Sequence, residues 1–282
     1  MVDGLVGSEM CIRDRIGNLD DITIRAIDVI EKVDFLVVEN RATTKNLLKK
    51  FKIENKKIFT YNDHSNKAER QNILEQLKGG LTGGIISDAG TPLICDPGYK
   101  LISELIINNV KVIPLPGPTA VVTALTGSGL PTDKFQFNGF LPKKNKELIA
   151  VLNKCANFSG TSVFYETPHR ILDSLEIINQ IFGFEANLCV AKELTKVHEN
   201  YFRGTAKEIL DKFNANKQVI KGEFVLLIHF EKTDQDYSIA DKAYKKLKSK
   251  VPIKELSKIV SDLTGINKNL LYKRFLSFSQ KS

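Results

Sequence analysis

The chain is predicted to fold as an α/β protein of two domains, with a small helical unit at its C-terminus. Three observations carry that prediction. Through the first half, short β-branched and aromatic runs alternate with amphipathic helical patterns, the signature of a parallel sheet covered on both faces. Beyond the Gly129–Asp133 stretch the strands become longer and more aromatic, as in a mixed sheet. The positive charge then collects at the end: residues 241–282 hold 11 Lys or Arg against 3 Asp or Glu, while the preceding 240 residues balance 30 against 30.

Strands are expected at Phe35–Glu39, Lys57–Tyr61, Gly84–Ser87 and Val110–Pro114. Helical patterns lie between them at 20–33, 43–51, 66–78 and 98–109, with apolar residues three and four apart. These place a first domain over 16–130. A second domain, 131–232, is expected to hold strands at Phe135–Leu141, Thr161–Glu166, Leu188–Glu193, His198–Gly204 and Phe224–Phe230, with helices at 143–156, 169–182 and 205–214. After a polar linker, residues 237–282 read as a lysine-rich helix and then two short helices around Gly265, a helix-turn-helix-like unit. Ile253, Leu256, Ile259, Val260 and Leu263 are expected to make one apolar face, and Leu270, Leu271, Phe275 and Leu276 the next. Lys254, Lys258, Lys268, Lys273 and Arg274 would then face phosphates, which favours a polyanionic partner. The alternative is an αα-hairpin that caps the second domain.

Residues 1–15 stand apart. They show no usable periodicity, and the string VGSEMCIRDR resembles translated sequencing-adapter sequence, so native sequence is expected to begin near Ile16. No apolar run approaches the roughly 18 residues of a membrane span. The four cysteines form no CxxC pair and the four histidines belong to no ligand-spaced motif, so neither a disulfide framework nor a metal site is expected, and a reducing cytoplasm fits best.

The chemistry is expected at IISDAGTPLICDPG, residues 85–98. An apolar strand ends there in a loop that Gly90 frees and Pro92 and Pro97 stiffen. Such a loop at a strand end is where an α/β sheet holds a small ligand. It matches neither a dinucleotide fingerprint nor a phosphate-binding P-loop, so backbone contacts to a ligand other than a nucleoside triphosphate are expected. A second Pro/Gly loop, PLPGP at 114–118, leads into a helix that opens with Thr119 and Ala120.

Seven strings occur in order: GNLDDIT (17–23), SDAGTPLICDPG (87–98), PLPGPTA (114–120), GFLP (139–142), FYETPHR (164–170), AKELTK (191–196) and GEFVLLI (222–228). Together they resemble the tetrapyrrole-methylase-like superfamily of S-adenosylmethionine-dependent enzymes. Within it they are similar to the branch that 2'-O-methylates a cytidine in the decoding region of 16S rRNA. The resemblance runs from Ile16 into the basic tail. It implies two α/β domains with the cofactor in the cleft between them, a homodimer, and the small ribosomal subunit as partner.

Carried over by position, it implies that Ser87, Asp88, Ala89, Gly90 and Thr91, continued by Leu93, Ile94 and Cys95, follow the cofactor. Thr119 and Ala120 would form another wall, and Tyr165 would approach from the second domain. Among the polar residues of the second-domain motifs, Glu193 is the candidate proton acceptor, with Glu166 and Lys192 beside it, and Arg170 is a candidate phosphate contact. Two departures stand out. Glu39-Asn40-Arg41 occupies the place of an EDTR-like string, and residues 1–15 replace the apolar strand expected before the IGNL string. The chain is therefore expected to lack one strand beside the cofactor loops, to fold marginally and to bind cofactor weakly. The competing readings are a superfamily methyltransferase acting on a tetrapyrrole or a protein side chain, and a noncatalytic RNA-binding or ribosome-assembly protein.

Overall fold

The structure, a computed structural model, describes residues 9–12, 16–62, 65–88, 90–230 and 237–279. Five parallel strands, β1 (Glu9–Ile12), β2 (Phe35–Val38), β3 (Lys57–Thr60), β4 (Gly83–Ile86) and β5 (Lys111–Pro114), form one sheet in the order β3-β2-β4-β1-β5. Successive side chains of a strand point to opposite faces, and here both faces are covered. On one, Phe35 and Val37 pack with Ile85 beneath α3 (Lys67–Lys78) and α4 (Tyr99–Ile107), through Ile73, Leu77, Leu101 and Leu105. On the other, Leu36 and Val38 pack with Ile86 beneath α1 (Ile24–Lys32) and α2 (Arg41–Lys50), through Val29, Ile30, Leu47 and Leu48. That is why β2 reads as a continuous apolar run instead of an alternating one.

The strand expected to be missing is present. Residues 9–12, set aside as foreign-looking, pair with β4 through Met10–Gly83 and with β5 through Met10–Val112. Met10 is fully buried beside Phe35 and Ile85. A Cβ at Gly83 would sit 2.8 Å from the Phe35 ring and 3.0 Å from Met10 Cε, so glycine lets those two side chains meet over the strand. Glu9 is also buried, and Lys111 Nζ lies 2.7 Å from its carboxylate. The physical reason is the slot itself. Strands β4 and β5 each offer a row of backbone donors and acceptors that must be paired when buried, and four residues suffice to pair them.

The second sheet has the order β6-β7-β10-β8-β9, from β6 (Phe135–Phe140), β7 (Thr161–Glu166), β8 (Ala186–Lys192), β9 (Asn200–Gly204) and β10 (Phe224–Phe230). Only β6 and β7 are parallel. Helices α6 (Asn145–Cys155), α7 (Ile171–Phe182) and α8 (Ala206–Ala215) cover one face through Leu148, Leu152, Leu175, Ile178, Ile209 and Phe213. The other face takes α5 (Ala120–Ser128), whose Val121, Ala124 and Leu125 pack on Val163, Cys189 and Leu227. Tyr201 donates to the Thr123 carbonyl at 3.2 Å and Arg203 Nε to the Ser128 carbonyl at 3.0 Å. Thus α5, grouped by sequence with the first sheet, is bound into the second, and both sheets lie in one compact unit that ends at Phe230.

The remaining unit is a bundle of α9 (Ser238–Leu247), α10 (Ile253–Thr264) and α11 (Lys268–Ser279) around Tyr244, Leu256, Val260, Leu271 and Phe275. Gly265, at φ 71°, adopts the left-handed cap that ends α10. The apolar face expected on α10 is narrower than its composition suggests: Ile259 is 41% and Leu263 79% exposed. Leu256 and Val260 lie one turn apart and fill the contact, which rotates those two outward.

Candidate functional site

A cavity of about 370 Å³ opens between the strand ends of the first sheet and one end of the strands of the second. That volume lies in the range of small-ligand and cofactor pockets. From the first sheet come Asp88 and Gly90, Ile94, Cys95 and Asp96 of the loop after β4, with Ala120 at the start of α5. The loop bends sharply: Gly90 has φ 91°, Leu93 75° and Cys95 64°. Two non-glycine residues held in the left-handed region are costly, and such residues cluster at ligand clamps. Gly98, at φ 130°, packs so closely that a Cβ would lie 2.5 Å from Leu93 Cδ2, which pins the bend.

Of the expected cofactor residues, Asp88, Gly90, Ile94, Cys95, Ala120 and Tyr165 therefore share one cavity. Ser87 is buried behind it, while Thr91, Leu93 and Thr119 shape the loops without lining it. Ala89 lies outside the described residues.

The second sheet closes the cavity with Phe140, Tyr165, Glu166, Leu194 and Glu223, among others. Tyr165 is wedged between Phe137 and Phe140, ring centroids 4.8 and 5.5 Å away. Burial, reinforced by Cys95, Asp96 and Glu223, pushes its phenol up to about 12, so it stays protonated at neutral pH. Burial likewise raises the Cys95 thiol, with Asp96 adding to the effect, so Cys95 is no thiolate. Glu166 helps hold the turn after β7. It accepts from the Thr167 N–H at 2.7 Å and Ser174 Oγ at 2.8 Å, and pairs with Arg170 at 3.2 Å.

Glu193 and Lys192 do not line the cavity. Lys192 is buried at the end of β8. Glu193 accepts from the Glu223 N–H at 2.9 Å and from Lys196 Nζ at 2.9 Å. Burial opposes its ionisation, but the Glu223 N–H and the Lys196 ammonium outweigh that and hold its carboxyl below the usual value. Lys196 also reaches Glu223 at 3.0 Å, and Thr195 Oγ1 accepts from the Asn18 N–H at 3.1 Å. This strained loop, with Glu193 at φ 48° and Thr195 at 65°, thereby ties down Leu194, Glu223 and the GNL turn beside Ile16.

Arg170, expected to face phosphate, instead donates to the Leu141 and Pro142 carbonyls at 2.8 and 2.9 Å. Arg274 is likewise engaged: its fork meets both Asp241 oxygens at 2.7 Å and its guanidinium lies 4.4 Å from the Tyr237 ring centre. Lys254, Lys258 and Lys268 are exposed, and the Lys273 side chain lies outside the described residues. The departure at Glu39-Asn40-Arg41 is physically mild. Asn40 caps α2 by accepting from the Ala42 N–H at 2.8 Å, a task that Asp and Asn perform about equally.

The cavity's charge is one-sided. Glu39, Asp88, Asp96, Glu166 and Glu223 line it, with no lysine or arginine among the described lining residues; Arg170 and Lys196 pair with Glu166 and Glu223 from outside the lining. Sequence reasoning missed Glu39, Asp96, Phe140, Leu194 and Glu223 as lining residues, although all five lie in strings it singled out. An acidic cavity suits a cation. S-adenosylmethionine carries a sulfonium and an ammonium beside its carboxylate and adenosyl group, so the carboxylates fit its cationic centres, with the loop after β4 and the start of α5 holding the rest. Among the described residues no cluster of His, Cys, Asp or Glu could hold a metal ion, and no helix is long and apolar enough to cross a membrane.

Residues 16–210 match the family model described as tetrapyrrole (corrin/porphyrin) methylases. The chain is 41% identical over 261 residues to ribosomal RNA small subunit methyltransferase I of Vibrio cholerae, covering 92% of this chain and 90% of that protein. It is 37% identical to the Haemophilus influenzae protein of the same name over 281 residues, covering 98% and 99%. Among solved structures it is similar to diphthine synthase, with TM-score 0.59, 11% identity and coverage of 80% and 90%. It is also similar to cobalt precorrin-4 methyltransferase, with TM-score 0.57, 16% identity and coverage of 79% and 98%. At those identities the structures speak to the fold alone.

Proposed function

The chain belongs to the tetrapyrrole (corrin/porphyrin) methylase family, and from that premise we propose that it moves a methyl group from S-adenosylmethionine to the ribose 2'-hydroxyl of a cytidine in 16S rRNA. The observation that carries the reading is the near end-to-end match to ribosomal RNA small subunit methyltransferases I, up to 98% of this chain.

S-adenosylmethionine supplies an electrophilic methyl on a positive sulfur. The chain's own residues hold the reactants in line and exclude water, which can supply much of the rate enhancement. Asp88 and Glu39 offer negative charge to the cofactor, and Tyr165, Phe140 and Leu194 wall the space. Of the three residues considered for proton transfer, Glu166 alone lines the cavity. Each of its oxygens already accepts a hydrogen bond, and Arg170 is paired with it. We assign Glu166, Lys192 and Glu193 to positioning, the last through the loop that carries Leu194 and Glu223. Lys254, Lys258 and Lys268 belong to the reading as phosphate contacts of the helical unit, as do a cytoplasmic location and a homodimer.

The test is incubation with radiolabelled S-adenosylmethionine and small ribosomal subunits, followed by mapping of the methyl group. Label on a cytidine 2'-oxygen supports the reading. Label on ribosomal protein, or no label on RNA, overturns it.

A further inference from the structure

Strand β6 carries an irregularity whose effect falls at the mouth of the cavity. Phe135, Phe137 and Phe140 pair with Thr161, Val163 and Tyr165, so two residues of β6, Asn138 and Gly139, stand opposite Phe164 alone. This is a β-bulge, and Gly139 fills it at φ 68°, where an L side chain is strained. Without the extra residue, strict alternation would turn Phe140 to the opposite face from Phe137. With it, Phe140 joins Tyr165 on the cavity side while remaining 52% exposed. A bulge that re-aims one side chain towards a site is a recurrent device.

The segment that follows is basic. Lys143, Lys144 and Lys146 are all exposed, and Lys143 lies three residues beyond Phe140, within about 11 Å along the chain. The segment is also braced. Leu141 N–H donates to the Tyr165 carbonyl at 3.3 Å, and Arg170 grips the Leu141 and Pro142 carbonyls. Arg170 is in turn held by Glu166. An open aromatic ring at the mouth of an acidic cavity, with exposed lysines on a fixed arm beside it, has the two parts of a single-strand RNA site: a stacking platform and phosphate contacts.

We propose that Phe140 stacks on the base of the nucleotide being methylated while Lys143, Lys144 and Lys146 hold its flanking phosphates, the bulge at Gly139 setting the ring's direction. The proposal rests on the RNA reading above and adds the place where the strand docks. The acidic lining keeps phosphates out of the cavity itself, and the lysines keep them at its rim.

The test uses the full chain in two assays. In the first, a fluorescent single-stranded RNA containing cytidine is titrated and followed by anisotropy. Phe140→Leu should weaken it about thirtyfold, the middle of the range for one lost base stack, and Phe140→Trp should restore it. Replacing Lys143, Lys144 and Lys146 together with Gln should lower the salt slope by about 2. In the second, S-adenosylmethionine binding is measured by calorimetry on the triple lysine variant, whose three residues lie outside the cavity lining and whose affinity should stay within about twofold of the wild type. Unchanged RNA binding in Phe140→Leu, an unchanged salt slope in the lysine variant, or a loss of that variant's cofactor affinity overturns the proposal. A shift in oligomeric state by light scattering with RNA binding intact also overturns it, since a second copy would then cover the ring. If the wild type binds RNA through Phe140 but labels no ribosomal RNA, the function reading fails and the docking site stands.

Discussion

Shortening Met10 to alanine tests whether the first strand belongs to this fold. Met10 is fully buried against Phe35 and Ile85, and its Cε lies over Gly83. The change removes three outer side-chain atoms, each worth roughly 0.8 kcal/mol of transfer free energy. A cavity then remains between β1, β2 and β4, because paired strands on both sides cannot close in. The expected cost is about 2–5 kcal/mol. For a unit of this size that corresponds to a fall in Tm of roughly 4–20 °C, since each kcal/mol is worth about 2–4 °C. Urea and thermal unfolding followed by far-ultraviolet circular dichroism measure it. Val197→Ala, at a residue 97% exposed, is the control and should lie within about 0.5 kcal/mol of the wild type. If Met10→Ala matches that control, residues 9–12 are not part of the sheet core and the reasoning from strand pairing is refuted.

Further outcomes follow from the site and the helical unit. Asp88→Asn should weaken S-adenosylmethionine binding by about 10- to 100-fold, the worth of one charged contact, with Tm unchanged; calorimetry decides. Glu193 has a lowered carboxyl pKa, so it adds stability above the ordinary glutamate range that is lost as pH falls through its lowered value. Glu193→Gln should flatten that acid limb of the stability profile and leave the single-turnover rate within a few-fold; a rate loss of a thousandfold would make Glu193 the base after all. Arg274→Ala should destabilise the helical unit by about 1–3 kcal/mol, and Arg274→Lys should not restore it, because one ammonium cannot span both Asp241 oxygens while stacking on Tyr237. Equal melting of the three proteins would contradict this. Replacing Lys254, Lys258 and Lys268 with Gln should reduce the salt slope of RNA binding by about 2 with little change in cofactor affinity.

Most of the architecture is legible in the chain because it is local. The 3.6-residue spacing at Ile73, Leu74 and Leu77 makes α3 amphipathic wherever it sits, and FLVV and FVLLIHF are too apolar to be anything but buried strands. Gly265 and Asn40 mark helix ends by their own chemistry. The loop after β4 is likewise visible, because its glycine and prolines restrict the backbone before any ligand or partner is considered.

What remained hidden depends on neighbours. EMCI carries no alternation that marks a strand, and only the slot between β4 and β5 makes it one. Arg170, Arg274 and Glu193 look free in sequence, since a charge reveals nothing of its partner; the fold spends them on the Leu141 and Pro142 carbonyls, on Asp241, and on Lys196 with Glu223. Phe140 reaches the cavity through one extra residue in its strand, a register event that composition cannot record. By itself, then, the sequence determined most elements and the ligand loop, because backbone propensity and hydrophobic period act over a few residues, and its ordered strings pointed to the family. Only the tertiary structure decided which carboxylates line the cavity and which charges are already paired, because those depend on groups brought together from distant parts of the chain.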